Sequence, residues 1–172
     1  MLGNIFLIGF MGCGKSSVAA KLHEQYRMNV VEMDEEIVRR EERSIADIFA
    51  QEGEAYFRQI ESLVLCEVAE HTNQVISCGG GIILRPENVA LMKQTGKIVL
   101  LTATPETILQ RVQGDENRPL LNGKKTVEDI AALMEQRRAA YGAAADVVIE
   151  TDGKSIADIC RELMKHTEKV EE

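Results

Sequence analysis

The sequence predicts an α/β fold with a five-stranded parallel sheet and helices on both of its faces. Three observations lead to this prediction. Short apolar runs rich in β-branched residues alternate with longer amphipathic segments, a pattern typical of strands joined by crossover helices. The runs are nearly continuously apolar, as in strands that are buried on both faces. A glycine-rich turn separates the first run from a helical segment, which predicts a ligand site at the carboxyl edge of the sheet.

The strands are predicted from short runs of valine, isoleucine and leucine bounded by glycine, proline or polar residues. The first run is far too short to span a bilayer, so we interpret it as a buried strand. In chain order the predicted strands are Asn4–Phe10, Asn29–Met33, Val75–Cys78, Lys97–Thr102 and Val147–Glu150.

The helices are predicted from apolar residues three and four positions apart and from capping signals. Ser44 and Ser155 are candidate N-caps, and Pro105 suits the first position of a helix. A polar segment with two glycines and one proline, Gln113–Lys125, is predicted to be a loop. The predicted helices are Lys15–Arg27, Asp34–Glu42, Ser44–Gln51, Gly53–His71, Pro86–Gln94, one that begins at Thr104-Pro105, Thr126–Ala143 and one that follows Ser155.

Composition limits the classes of function. The 172 residues suit one domain, 1–172, and the net charge of −8 argues against nonspecific binding of nucleic acid. The four cysteines form no C-x-x-C pair and no cluster with histidine, so we expect neither a zinc site nor a disulfide framework. Unpaired cysteines favour a cytoplasmic location.

The turn after the first strand, Gly9-Phe10-Met11-Gly12-Cys13-Gly14-Lys15-Ser16, matches the phosphate-binding pattern G-x-x-x-x-G-K-[ST]. Glycines let successive backbone N–H groups face one anion, and the following helix adds its positive end. Lys15 is expected to reach the β- and γ-phosphates, and the Ser16 hydroxyl to bind Mg²⁺. We therefore predict that the nucleotide site includes Gly12, Cys13, Gly14, Lys15, Ser16 and Ser17. Beside Lys15 and at a helix N-terminus, Cys13 is also predicted to react with thiol alkylators.

The phosphate-binding loop does not identify the acceptor, because GTPases, ATPases and small-molecule kinases share it. Four further segments, together with this loop, resemble the shikimate kinase family in the family's order and over nearly the whole chain. The first is Glu32-Met33-Asp34, where the family usually has Asp-x-Asp. The resemblance implies that Asp34 holds the substrate hydroxyls and assists proton removal. Glu32 replaces the aspartate that helps to place Mg²⁺, and we expect it to serve the ion through a bound water.

The second and third segments resemble the family's acceptor site. The run Gly53–Glu61 is similar to the family's G-E-x-x-F-R-x-x-E, which implies that Arg58 pairs with the shikimate carboxylate. Glu61 lies one helical turn later and is expected to orient Arg58. The glycines that follow the third strand imply backbone contacts to shikimate, with Gly80 at the matching position; they are Gly79, Gly80 and Gly81.

The fourth segment carries three arginines. Arg118 begins an R-P-L-L run like that of the family's mobile lid, here about 113–125, and would approach the phosphates when the lid closes. Arg111 matches the arginine that stacks on adenine. Arg137 matches the arginine of the R-x-P-x-Y run that grips the substrate carboxylate, although Ala139 replaces the proline. Arg138 is the neighbouring alternative, and the spacing to Tyr141 favours Arg137.

The resemblance implies a P-loop, nucleoside-monophosphate-kinase-like fold with a mobile lid. It further implies phosphorylation of the 3-hydroxyl of shikimate by ATP with Mg²⁺, a step in the biosynthesis of chorismate and aromatic amino acids. Lys15, Asp34 and Arg118 are the expected catalytic residues. We expect a monomer that binds only small molecules, with no nucleic-acid or membrane partner. Two alternatives remain: another small-molecule P-loop kinase, such as a gluconate or nucleoside monophosphate kinase, and a nucleotide-binding module without catalysis.

Overall fold

The first strand, β1 (Asn4–Ile8), lies at the centre of a parallel sheet with the strand order β2-β3-β1-β4-β5. The structure is a computed structural model, and it describes residues 3–113 and 126–167. All four strand pairings are parallel, so the carboxyl ends of the strands meet at one edge of the sheet. The other strands are β2 (Asn29–Glu32), β3 (Gln74–Ser77), β4 (Gly96–Thr102) and β5 (Val147–Glu150).

The helices cover both faces of the sheet, because successive residues of a strand point to opposite faces. On β1, Ile5 and Leu7 belong to one apolar core, and Phe6 and Ile8 belong to the other. The helices are α1 (Lys15–Tyr26), α2 (Met33–Glu41), α3 (Ile45–Glu52), α4 (Glu54–Ala69), α5 (Pro86–Thr95), α6 (Pro105–Val112), α7 (Val127–Ala144) and α8 (Ile156–Thr167). The predicted α/β architecture is confirmed.

The capping signals in the sequence mark where several helices begin. The Ser44, Thr104 and Thr126 hydroxyls each accept a hydrogen bond from the backbone N–H three residues later. The Ser155 hydroxyl accepts one from the N–H of Asp158, at 3.1 Å. Each hydroxyl satisfies a backbone donor that has no partner inside the helix, so these starts are fixed locally.

Two features differ from the predicted elements. The first strand ends at Ile8 and not at Phe10, since Gly9 has a φ of 145° and turns the chain out of the sheet. A short 3₁₀ helix, Ile82–Leu84, occupies a segment for which no element was predicted. It is held in place by a hydrogen bond of 2.9 Å from the Asn88 amide to the Ile82 carbonyl, a contact between side chain and backbone that has no sequence pattern.

The predicted lid of about 113–125 lies outside the described residues, apart from Gln113 at the end of α6. Within residues 3–113 and 126–167, no helix is long and apolar enough to cross a membrane. All four cysteines are free, as the sequence predicts.

Candidate functional site

The phosphate loop, Gly9–Ser16, leaves the carboxyl end of β1 and enters α1. Three of its glycines have positive φ values, 145° at Gly9, 77° at Gly12 and 101° at Gly14. Other residues rarely adopt this conformation, so the loop depends on glycine for its path. A side chain at Gly9 would also meet the Leu101 carbonyl oxygen at 2.5 Å. The curled backbone therefore follows directly from the G-x-x-x-x-G-K-S pattern.

The Lys15 side chain folds over this loop. Its ammonium donates hydrogen bonds to the carbonyl oxygens of Gly9, at 2.7 Å, and Phe10, at 3.3 Å. A cation held by neutral carbonyl groups is suited to bind an incoming phosphate, because a charged acceptor forms the stronger hydrogen bond with it. Cys13 is only 1% exposed and packs in the apolar core beneath the loop. This burial opposes the predicted sensitivity of Cys13 to alkylators, because a thiol must be accessible to react; the sensitivity itself stays a prediction.

Glu32 ends β2 beside the start of α1, where its carboxylate accepts hydrogen bonds from the Ser16 and Ser77 hydroxyls. Ser77 is the partner of Glu32 in the register of β2 and β3. Burial raises the pKa of the Glu32 carboxyl, and the two hydroxyl hydrogen bonds oppose that rise in part. A partly desolvated carboxylate next to the loop serine is a suitable partner for a hard cation. Ser77 was not predicted as a site residue, since a serine in a strand carries no signal.

The glycine turn, Gly79–Gly81, follows β3 and lies beside the phosphate loop. Charged side chains from three different helices approach it. A side chain on Gly79 would meet the Glu61 carboxylate at 3.0 Å and the Asp34 carboxylate at 3.4 Å. Asp34 comes from the first turn of α2, and Glu61 comes from α4. The turn therefore brings together two acidic residues that are distant in sequence.

Arg58 and Glu61 form an ion pair of 2.8 Å at this turn, and their side chains are 13% and 1% exposed. The Arg58 guanidinium lies over the Phe57 ring, 5.1 Å from its centroid, and occupies the space that a side chain on Gly81 would need. The pKa of the Glu61 carboxyl is raised, mainly because the group is buried. The Arg58 guanidinium opposes this rise, and the negative charge of Asp34 adds to it. The pair is buried and points into the site, unlike the exposed salt bridge that this spacing usually produces.

Arg137 and Tyr141 approach the turn from α7. A side chain on Gly80 would meet Arg137 Nη1 at 2.9 Å and the Tyr141 hydroxyl at 3.3 Å. The side chain of Arg138, by contrast, is 80% exposed and pairs with Glu135 at 3.7 Å. Of the two neighbouring arginines, Arg137 is the one that reaches the site, as its spacing to Tyr141 predicts.

The opposite side of the phosphate loop is bordered by Arg111 and the loop after β5. Arg111 donates to the Gly12 carbonyl at 3.0 Å and contacts the Thr151 hydroxyl at 3.5 Å. Asp152 accepts hydrogen bonds from the Thr107 hydroxyl, at 2.5 Å, and from the Thr104 N–H, at 3.0 Å. The Thr107 hydrogen bond is the main reason that the pKa of Asp152 is lowered. No sequence motif identifies the residues of this loop.

The structure brings the predicted site residues into two adjoining groups. One surrounds the phosphate loop and includes Arg111; the other surrounds the glycine turn. Arg118 lies outside the described residues. Residues that the sequence did not identify as parts of the site are Ser77, Thr104, Thr107, Thr151 and Asp152, whose contacts depend on tertiary structure.

Comparison with known proteins identifies the family that has this arrangement. A family model described as shikimate kinase matches residues 11–168. A shikimate kinase of Dehalococcoides mccartyi is 41% identical over 168 residues, which cover 98% of this chain and 95% of the relative. The chain belongs to the shikimate kinase family.

Solved structures of shikimate kinases have the same fold. One from Acinetobacter baumannii, in complex with shikimate, is 34% identical with a TM-score of 0.91 over 99% of this chain and 97% of the other. One from Aquifex aeolicus is 37% identical with a TM-score of 0.81 over 96% of both chains. Membership of the shikimate kinase family confirms the resemblance found in the sequence and makes the gluconate-kinase and non-catalytic alternatives less favoured.

Proposed function

We propose that this chain transfers the γ-phosphoryl group of ATP to the 3-hydroxyl of shikimate, giving ADP and shikimate 3-phosphate. One observation carries the proposal. Two guanidinium groups and two carboxylates, one of them from Asp34, converge on one glycine turn next to a complete phosphate loop. Shikimate has a carboxylate and several hydroxyls, so it needs cations at one end and a hydrogen-bond acceptor at the other. Shikimate 3-phosphate is an intermediate in the biosynthesis of chorismate and aromatic amino acids, so membership of the shikimate kinase family supports a role of this chain in that pathway.

The acceptor is bound by the groups around the glycine turn. Arg58 and Arg137 bind the shikimate carboxylate, because a guanidinium matches a carboxylate with two parallel hydrogen bonds. Asp34, in the first turn of α2, accepts a hydrogen bond from the reacting hydroxyl and can take its proton. The backbone of Gly79, Gly80 and Gly81 lines the floor of this pocket.

The nucleotide is bound on the other side of the phosphate loop. Backbone N–H groups of Gly12, Cys13 and Gly14 and the positive end of α1 receive the phosphates, and Lys15 neutralises charge on the transferred group. Ser16 and Ser17, in the first turn of α1, provide hydroxyl groups for the phosphates. Arg111, beside Thr151, stacks on adenine. Arg118, from the segment between α6 and α7, adds a second cation at the transferred phosphoryl group, and the segment of about 113–125 acts as the lid.

The metal that an ATP-dependent kinase requires is proposed to be Mg²⁺. The donors fit, since the Ser16 hydroxyl and the Glu32 carboxylate already contact each other beside the phosphate loop. Both offer the oxygen atoms that Mg²⁺ prefers. When bound, the ion neutralises charge on the phosphates, while Ser16 and Glu32 hold its position directly or through water.

A panel assay tests the function. The protein is incubated with ATP, Mg²⁺ and either shikimate, gluconate or a nucleoside monophosphate, and ADP release is coupled to a spectrophotometric readout. We expect ADP only with shikimate, and mass spectrometry should find a singly phosphorylated product. Lys15→Ala should abolish the signal, while Lys97→Ala, a matched lysine on β4 outside the site, should retain it. ADP release with gluconate but not with shikimate would overturn the proposal.

Further expectations concern the protein in solution. We propose a monomer, which is what the resemblance to the shikimate kinase family implies. The free state of all four cysteines is in keeping with a reducing, cytoplasmic location. We treat residues 1–172 as a single functional unit, since the groups around the phosphate loop and the glycine turn come from elements that extend from β1 to β5.

A further inference from the structure

The Tyr141 side chain connects α7 to the glycine turn. Its hydroxyl donates a hydrogen bond of 2.7 Å to the Gly80 carbonyl, which is 61 residues away in sequence. The residue is 6% exposed. The Arg137 guanidinium lies beside the same hydroxyl, since both groups are within 3.3 Å of the point where a Gly80 side chain would begin, and it opposes the rise in the Tyr141 pKa that burial causes. Because a tyrosine hydroxyl has one proton and also two lone pairs, it can donate to Gly80 while it accepts from Arg137.

The Gly80 carbonyl needs such a partner. Glycine has the least restricted backbone of all residues, so three in succession do not define a path by themselves. A carbonyl and the following N–H belong to one planar peptide unit. The hydrogen bond from Tyr141 therefore fixes the Gly81 N–H together with the Gly80 carbonyl. Arg58 lies against Gly81, so the position of this peptide unit also sets the surface on which Arg58 rests.

The Tyr141 ring is held independently of the hydroxyl. It packs in one of the two apolar cores and borders a cavity of about 330 Å³ lined mainly by apolar side chains, among them Phe10, Leu100 and Met134. A ring with apolar neighbours and a bonded hydroxyl has little rotational freedom. The packing of α7 therefore determines where the hydroxyl lies, and through it where Arg137 and Gly80 lie.

We propose that Tyr141 is a positioning residue for acceptor binding: its hydroxyl holds the Arg137 guanidinium and the Gly80 peptide unit in the arrangement that receives the acceptor carboxylate. The inference rests on the proposed function, since it assigns to Tyr141 a role in binding the same substrate. Tyr141 acts through its two neighbours and makes no direct contact with the reacting atoms.

The test removes the hydroxyl and keeps the ring. Tyr141→Phe should raise the Kd of shikimate about tenfold, measured by calorimetry without nucleotide, because a half-buried carbonyl loses its donor and Arg137 loses an anchor. The KM of shikimate should rise by a similar factor, and the KM of ATP should stay within about twofold. Tyr56→Phe is the matched control. This variant also loses a hydrogen bond from a tyrosine hydroxyl, here to the Glu41 carboxylate at 3.0 Å. It should leave the Kd of shikimate unchanged.

A double-mutant cycle separates positioning from a loss of stability. If Tyr141 acts through Arg137, adding Tyr141→Phe to Arg137→Ala should weaken binding by clearly less than the tenfold effect that it has alone. Equal Kd values of shikimate for wild type and Tyr141→Phe would overturn the inference. So would a double variant whose rise in Kd equals the product of the rises caused by Tyr141→Phe and Arg137→Ala alone. Failure of the wild-type protein to bind or phosphorylate shikimate would instead refute the proposed function and the inference with it.

Discussion

Two glycine-rich turns lie side by side at the carboxyl edge of the sheet, one after β1 and one after β3, and they need glycine for different reasons. In the phosphate loop, the glycines have positive φ values, such as 77° at Gly12 and 101° at Gly14. The need is conformational, since this backbone path strains any other residue. A curled path of this kind lets successive backbone N–H groups face one anion.

In the glycine turn, none of Gly79, Gly80 and Gly81 has a positive φ. Any residue could adopt this backbone, yet a side chain at each position would meet a charged group: Glu61 or Asp34 at Gly79, Arg137 at Gly80, and Arg58 at Gly81. Here the need is space. Under the proposed function, one turn presents its backbone to the nucleotide, and the other leaves space for side chains from α2, α4 and α7 to reach the acceptor, so that adjoining turns would bind two different substrates.

The largest expected effect comes from removing the guanidinium groups at the glycine turn. Arg58→Ala and Arg137→Ala should each weaken shikimate binding by about 2–5 kcal/mol, the usual loss for one partner of a buried charge pair. ATP affinity should change little, because both guanidinium groups lie against the glycine turn. Calorimetric titration of each variant with shikimate and with ATP measures both.

Arg138→Ala is the matched control for Arg137→Ala, since Arg138 is the next residue on α7 and its side chain is 80% exposed. It should bind shikimate like the wild type. If Arg58→Ala and Arg137→Ala weakened the binding of ATP and of shikimate equally, the assignment of the two turns to different substrates would be wrong.

Asp34→Asn tests the chemistry at the second turn. The amide keeps the size of the side chain but loses its negative charge, so it can neither take a proton nor orient the hydroxyl as strongly. We expect kcat to fall by about 10²-fold or more, with the Kd of ATP preserved. Rapid-quench measurement of a single turnover checks the phosphoryl-transfer step itself. An unchanged rate would leave Asp34 as a residue of the first turn of α2 with no part in the reaction.

A pair of alanine substitutions tests the comparison of the turns directly. Gly12→Ala places a side chain at φ 77° and 2.9 Å from Val112, with a backbone cost of about 1–2 kcal/mol, and should weaken ATP binding. Gly81→Ala introduces no such strain but displaces Arg58, so it should raise the KM of shikimate by about tenfold, less than Arg58→Ala does. If Gly81→Ala affected ATP more than shikimate, glycine at this turn would have another purpose.

Most of the fold was predictable because its signals are local. Capping residues such as Ser44 and Thr104 and the apolar runs of the strands depend on neighbours in sequence, and the predicted ends agree with the structure to within two residues for most elements. Motif spacing was sufficient to select Arg137 over Arg138. The strand order and the 3₁₀ helix depend on tertiary packing, and no sequence pattern marks them.

The site was predictable where a motif carried it and not elsewhere. The charged residues around the glycine turn were identified by family resemblance. The reason for the glycines is the space that Arg58 and Arg137 occupy beside them, and this tertiary contact has no sequence pattern. Sequence also predicted a reactive Cys13, because the helix terminus and Lys15 are visible in the motif while the burial of the thiol is not.

The smallest expected effect concerns Glu32, which lies between the two turns. The hydrogen bonds to Ser16 and Ser77 hold its carboxylate at the place where a Mg²⁺ shell would begin. Glu32 is longer than the family's aspartate by one methylene, about 1.5 Å, and Ser77 is the contact that restrains the longer side chain. Glu32→Gln keeps the length and the hydrogen bonding but removes the charge that favours the cation.

We therefore expect Glu32→Gln to raise the Mg²⁺ concentration for half-maximal rate by several-fold, since one charged ligand group among water and phosphate oxygens contributes only part of the affinity. Glu32→Asp should remain active, because water can bridge the shorter reach. Titration of Mg²⁺ at fixed ATP gives the rates, and binding of ADP with and without Mg²⁺ gives a readout that does not depend on turnover. Superimposable Mg²⁺ curves for wild type and Glu32→Gln would mean that Ser16 and the phosphates hold the ion without Glu32.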